Sequence, residues 1–178
     1  MIVRDATPAD AAALAEVYRP AVTSGFASFE LEPPDAAEMT GRLAKVQLAF
    51  PWLVGTDPAG AVLGYAYATR HRERPAYDWT AETSVYVRPS AQGRGVGRGL
   101  YQELLARLRA QGYRLAIAGI ALPNPASVAL HELLGFRRAG TLEGVGYKLG
   151  AWRDVGLWQL VLGAPPLVDG APRPPRRP

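Results

Sequence analysis

The chain has 178 residues, 48% apolar and 20% charged, which fits one globular domain able to bury a core without a disulfide or metal staple. With no cysteine and only His71 and His131 as histidines, a disulfide framework, a Cys-based zinc site, an iron–sulfur cluster, a His-rich metal cluster and a thiol nucleophile are all excluded. The formal charge of +4 suggests nucleic acid, but the last fifteen residues carry three arginines against one aspartate, leaving +2 for residues 1–163, so no nucleic-acid partner is expected. Arg4 and Asp5 stand where a secretory leader needs its apolar stretch, and no apolar run approaches the roughly 18 residues of a membrane span. The expected setting is the cytoplasm.

Residues 2–4 read as a short strand, and Thr7-Pro8 as an N-cap with proline in the first helical position. The helix that follows carries Leu14, Val17, Tyr18 and Ala21 on one face. Pro33-Pro34 breaks the chain. Asp35, with Glu38 three residues on, opens a second helix by the capping-box pattern, its buried face formed by Met39, Leu43, Val46 and Phe50. Trp52–Thr56 and Val62–Thr69 are apolar runs around Asp57-Pro58-Ala59-Gly60, a hairpin with turn chemistry at its tip. An arginine-rich loop over 70–79 leads into the strand Thr80–Val87, which Pro89 ends. Gln92–Gly97 then runs into a helix with the core stripe Leu100, Leu104 and Leu108, stopped by Gly112. Leu115–Ala121 is a further strand, and Asn124-Pro125 opens a helix that Gly135 closes. Residues 137–162 read as strands around a glycine-rich connection, GVGYKLGAW. This order describes one mixed α/β domain with a central sheet over residues 1–163. The Pro- and Arg-rich residues 164–178 bury too little apolar surface to fold and are expected to be a disordered tail.

A strand ending at Val87, a glycine-rich loop and a helix N-terminus make an anion site, because backbone N–H groups converge at the positive end of the helix dipole. A P-loop needs Lys-Ser/Thr after its last glycine, and here Arg98-Gly99 follows Gly97. Glycines at 93, 95, 97 and 99 never give the G-x-G-x-x-G spacing of a dinucleotide fold. The remaining pattern, Gln92-x-x-Gly95-x-Gly97 after a strand, resembles the acyl-CoA pyrophosphate loop of the GNAT family of N-acetyltransferases, whose element order residues 2–162 follow. Asn124, Ser127 and His131 before Leu134-Gly135-Phe136 are similar to the family's Asn…Tyr…Gly-Phe segment, with histidine where most members have tyrosine. Phe26–Glu30, Tyr77–Glu82, Val85–Val87, Leu122–Asn124, Leu130–Glu132 and Gly146–Gln159 narrow the resemblance to the phosphinothricin and methionine-sulfoximine acetyltransferase subfamily. It implies an α+β GNAT fold, with one mixed, mostly antiparallel sheet flanked by helices, and a homodimer.

Acetylating an amine requires a base for the ammonium proton, donors for the tetrahedral oxyanion and a proton or counter-charge for the departing thiolate. Glu82, a lone carboxylate in a strand of Thr, Ala, Ser, Val and Tyr, reads from its pattern alone as an exposed edge-strand glutamate, and the resemblance, which implies a glutamate at this position, makes it the candidate base. Partial desolvation is expected to raise its pKa toward neutrality for action directly or through water. His131 lies two helical turns after Asn124 on the same face and is the second catalytic candidate, either protonating the thiolate or relaying the amine proton. The resemblance implies acetyl-CoA as co-substrate and no metal. The backbone of Val85, Tyr86 and Val87 would pair with pantetheine, and Asn124 and Ser127 would contact its arm. The amides of Gln92, Gly93, Arg94, Gly95, Val96, Gly97 and Arg98 would hold the pyrophosphate. Arg72 or Arg74, beside Arg70, is expected to read the carboxylate of a small acid, with Phe29 and Tyr77 as apolar walls. Two rivals are a broader amino-acid or protein N-terminal acetyltransferase and a non-catalytic CoA-binding module, the latter opposed by the presence of both Glu82 and His131.

Overall fold

The computed structural model describes residues 1–168 and 171–176. Seven strands form one sheet: β1 (Ile2–Asp5), β2 (Trp52–Thr56), β3 (Val62–Arg70), β4 (Thr80–Val87), β5 (Leu115–Ala121), β6 (Arg137–Lys148) and β7 (Ala151–Val161). Their spatial order is β1-β2-β3-β4-β5-β7-β6, antiparallel everywhere except between β4 and β5. Four α-helices cover the two faces: α1 (Ala11–Thr23), α2 (Ala36–Gln47), α3 (Val96–Gln111) and α4 (Pro125–Leu133). Among the described residues, no helix is long and apolar enough to cross a membrane.

Local chemistry sets these boundaries. Asp10 accepts the Thr7 N–H at 2.8 Å and two Arg4 N–H groups at 2.7 and 2.8 Å. The Arg4 guanidinium holds the Asp10 carboxyl down at about 2. Asp35 caps α2 by accepting the Glu38 N–H at 2.8 Å, and Met39 and Leu43 on its inner face are fully buried. One core cluster joins α1 and α2 to the sheet through Leu14, Val17, Tyr18, Met39, Trp52 and Tyr65. The other lies under α3, where Leu100, Leu104 and Leu108 are excluded from water. Because side chains alternate along a strand, β4 feeds both: Tyr86 packs on the first cluster and Val85 and Val87 on the second.

One segment differs from expectation. The stretch GVGYKLGAW is not a connection as a whole: Gly144–Lys148 belongs to β6, and the turn is only Leu149-Gly150, both at positive φ (51° and 76°). Gly144 breaks the β6–β7 register and donates its N–H to Asp154 at 2.8 Å. Gly146 is required by packing, since a Cβ there would sit 2.3 Å from the Phe29 ring. Of residues 164–178, expected as disordered, residues 169–170 and 177–178 lie outside the described residues. The rest makes a short hairpin, Leu167–Val168 against Ala171–Pro172. The Trp79 indole N–H donates to the Arg173 carbonyl at 2.8 Å, and the Arg176 N–H to the Gln111 carbonyl at 2.7 Å.

Candidate active site

The parallel pairing of β4 with β5 stops at Glu82 opposite Ile117, although β4 continues to Val87 and β5 to Ala121. Beyond that point β4 remains bonded to β3 as far as Val87, and β5 to β7 as far as Ala121. The strands therefore splay, leaving one edge of β4 from Thr83 to Val87 unpaired by the sheet, a stretch where an extended group can be received as a strand would be.

The glycine loop lies at the end of this gap. Gly93 and Gly95 take positive φ (71° and 79°), and Gly95 caps α3 with no side chain to satisfy its first amides. Val96 is buried and pins the loop, whereas Gln92, Gly93, Arg94, Gly95 and Arg98 face solvent. A Cβ on Gly97 would approach Leu130 to 3.2 Å and Val87 to 3.5 Å, so α3 starts close against both β4 and α4. Free amides, a helix N-terminus and two exposed arginines fit a pyrophosphate. Asn124 lies across the gap as the α4 cap, its Oδ1 accepting the Ser127 N–H at 3.1 Å.

Glu82 is not desolvated as expected. Its side chain is 49% exposed, and it meets the Nδ1 of His71 at 2.7 Å. The β3–β4 register explains the contact: Glu82 faces Thr69, and His71 is two residues beyond Thr69 on the same face. The His71 ring is held edge-on by Tyr77, 5.5 Å between centroids, and the base of the loop by an Arg70–Asp78 ion pair at 2.8 Å.

His131 sits in the opposite environment. It is 2% exposed, its Nδ1 donates to the Ser127 carbonyl at 2.7 Å, and its Nε2 lies 2.9 Å from the Tyr101 hydroxyl. Because the carbonyl can only accept, Nδ1 carries the hydrogen and Nε2 of the neutral ring accepts from Tyr101. Burial pushes its pKa below the ordinary 6.5. Both nitrogens are committed, so this ring is a buried support under β4, with Tyr101 also reaching Thr83 at 3.3 Å, and does not stand open to a thiolate.

The expected acceptor residues divide. Tyr77 joins His71 and Glu82. Arg72 and Arg74 are exposed, and among the described residues neither guanidinium has an ionic partner. Phe29 lies against Gly146 of β6. Its loop is secured by Lys148, a buried lysine whose Nζ donates to the carbonyls of Ser28 at 2.6 Å and Glu30 at 2.7 Å. Glu30 in turn holds Arg42 through two bonds of 2.7 and 2.8 Å. Beyond Arg42 a cavity of about 480 Å³ opens between α2 and the sheet, lined by Trp52, Tyr65, Tyr67 and Thr69 among others. His71, Tyr101, Lys148 and this cavity escaped the sequence reading. Only His71 had a legible signal, an ionisable residue in the loop that joins the expected strand Val62–Thr69 to the strand carrying the candidate base.

The acetyltransferase (GNAT) family pattern matches residues 14–136. The chain belongs to this family. It is 43% identical to a phosphinothricin N-acetyltransferase of Streptomyces viridochromogenes, over 92% of this chain and 90% of that one. It is 39% identical to an L-methionine sulfoximine/L-methionine sulfone acetyltransferase of Pseudomonas paraeruginosa, over 90% and 94%. Among solved structures, a GNAT phosphinothricin acetyltransferase from Sinorhizobium meliloti in complex with AcCoA superimposes with a TM-score of 0.88 at 42% identity, covering 91% of this chain and 88% of that one. As a GNAT fold the architecture agrees with the sheet expected from sequence, including its mixed, mostly antiparallel character.

Proposed function

We propose that this GNAT chain transfers acetyl from acetyl-CoA to the α-amine of a small amino-acid-like acceptor such as phosphinothricin, methionine sulfoximine or methionine sulfone. The observation carrying this reading is the splay between β4 and β5, with Glu82 at its apex and the glycine loop at its mouth. The similarity to named phosphinothricin and methionine-sulfoximine acetyltransferases supports the acceptor class.

In this reading the amides of residues 93–98 hold the pyrophosphate, with Arg94 and Arg98 adding charge, and the free edge of Val85–Val87 aligns the pantetheine and polarises the thioester carbonyl. The acceptor arrives as an ammonium ion and gives up one proton at Glu82. Its lone pair attacks the carbonyl carbon, a C–N bond forms, the C–S bond breaks, and the second nitrogen proton leaves with the thiol sulfur. Arg72 or Arg74, neither with an ionic partner among the described residues, would read the acceptor carboxylate.

The same proposal includes a catalytic unit over residues 1–163, a cytoplasmic location where acetyl-CoA is available, and a homodimer. Dimerisation is supported by the edge strand β6, its partner β7 and the turn between them, which expose Leu142, Val145, Tyr147, Leu149 and Trp152. The test is thiol release from acetyl-CoA with phosphinothricin, methionine sulfoximine, methionine sulfone and a peptide panel. Turnover on the amino-acid analogues is expected. Turnover on peptides alone would replace the acceptor class, and acetyl-CoA binding without turnover on anything would leave only a CoA-binding module.

A further inference from the structure

We propose that the proton acceptor is the Glu82–His71 pair acting as one unit, in which Nε2 of His71 takes the ammonium proton and Glu82 orients the ring. This deepens the N-acetyltransferase reading above and rests on it. An ionised carboxylate can only accept, so the 2.7 Å contact between Glu82 Oε1 and His71 Nδ1 puts the hydrogen on Nδ1. The neutral ring then presents Nε2 as a lone pair, and among the described residues no protein group hydrogen-bonds to it. This is the arrangement by which a carboxylate fixes the tautomer of a histidine base and stabilises the imidazolium once it forms.

Three features support assigning proton transfer to the ring. Glu82 is half exposed, so its carboxylate is hydrated by solvent, whereas the Nε2 lone pair of the neutral ring has no protein partner among the described residues. The His71 side chain is only 17% exposed and is held at its edge by Tyr77, so its aim is defined before the acceptor arrives. The charged groups around it are Glu82 on β4 and Arg70, Arg72, Glu73 and Asp78 on its own loop, of which Arg70 and Asp78 neutralise one another. Glu82 is therefore the anion in direct contact with the ring.

The proton balance is simple. The acceptor ammonium loses one N–H to Nε2, giving an imidazolium paired with the Glu82 carboxylate. After acetyl transfer, the imidazolium returns that proton to water.

The test is steady-state kinetics as a function of pH for wild type, His71→Asn and Glu82→Gln, with acetyl-CoA binding followed separately by calorimetry. Asparagine keeps a donor to Glu82 but lacks the titrating nitrogen. His71→Asn is expected to lower kcat about 100-fold or more, to leave acetyl-CoA affinity unchanged and to abolish the acidic limb of kcat/KM. Glu82→Gln is expected to lower kcat while keeping a displaced acidic limb, because the imidazole remains. If His71→Asn keeps both its rate and its acidic limb while Glu82→Gln is inactive, Glu82 acts alone and the pair is overturned. If neither change affects turnover, the base assignment of the proposed function itself fails.

Discussion

The two histidines of this chain lie on opposite faces of the same strand and differ in one respect that decides their chemistry. His131, beneath Thr83, has both ring nitrogens committed, to the Ser127 carbonyl and the Tyr101 hydroxyl, and is sealed from water. His71, beside Glu82, has one nitrogen on a carboxylate and the other without a protein partner among the described residues. A histidine whose hydrogen bonds are complete stabilises its surroundings; one with a lone pair left over can move a proton. His131 was the more conspicuous candidate from its position on a helix near the cofactor loop, and we propose that its part is structural.

That contrast can be broken from the His131 side. His131→Phe removes the buried bonds of the ring to the Tyr101 hydroxyl and the Ser127 carbonyl, a loss of about 1–3 kcal/mol that lowers Tm by several degrees. Turnover at a temperature where the variant is folded should fall far less than in His71→Asn. A collapse of kcat at unchanged Tm would return His131 to the catalytic role. The pH dependence has a defined sign: because burial lowers the His131 pKa from 6.5, the unfolded chain takes up the proton first as pH falls. Stability from the neutral ring is thus intact above about pH 6.5 and declines below it, and the Phe variant should lose that decline.

A second, smaller effect separates the acceptor side from the cofactor side. Lys148→Met removes the donors that fix the Ser28 and Glu30 carbonyls and should raise the acceptor KM roughly tenfold, a difference of about 1.4 kcal/mol, with the acetyl-CoA KM unchanged. Equal shifts in both would mean a general loss of fold. Without effect on turnover at neutral pH is Asp10, which acts on stability in acid. Its carboxyl titrates near 3.8 when unfolded and about 2 when held by Arg4. Its contribution, about 2 kcal/mol, is present above about pH 4 and lost as pH falls toward 2. In acid titrations followed by circular dichroism, Asp10→Asn should lose this component while leaving the decline below pH 6.5 in place.

How much of this was legible in the sequence follows from the range of the interactions. The strands Trp52–Thr56, Thr80–Val87 and Leu115–Ala121, the Asp35 cap and the glycine loop depend on neighbours within a few residues, and they appear where the residue pattern puts them. The extent of β6 was misread because its glycines resemble turn residues, whereas one serves a register break and the other makes room for Phe29, more than a hundred residues away in the chain. Lys148 was invisible for the same reason: a lysine reads as exposed, and only the carbonyls of a distant loop make its burial tolerable. Glu82 was found through the family resemblance, since its residue pattern alone reads as an exposed strand glutamate, and its partner depends on how the following strands splay and how the preceding loop folds back.

The central claim is that acetyl transfer takes place where β4 and β5 part, with the acceptor amine deprotonated on the Glu82 side. The most direct measurement is kcat/KM for phosphinothricin in wild type and Glu82→Gln, with the acetyl-CoA dissociation constant of each determined in parallel. Turnover by the wild type is expected, with a loss of about 100-fold or more in the variant and the same acetyl-CoA affinity in both. Equal turnover by the two proteins would contradict the central claim.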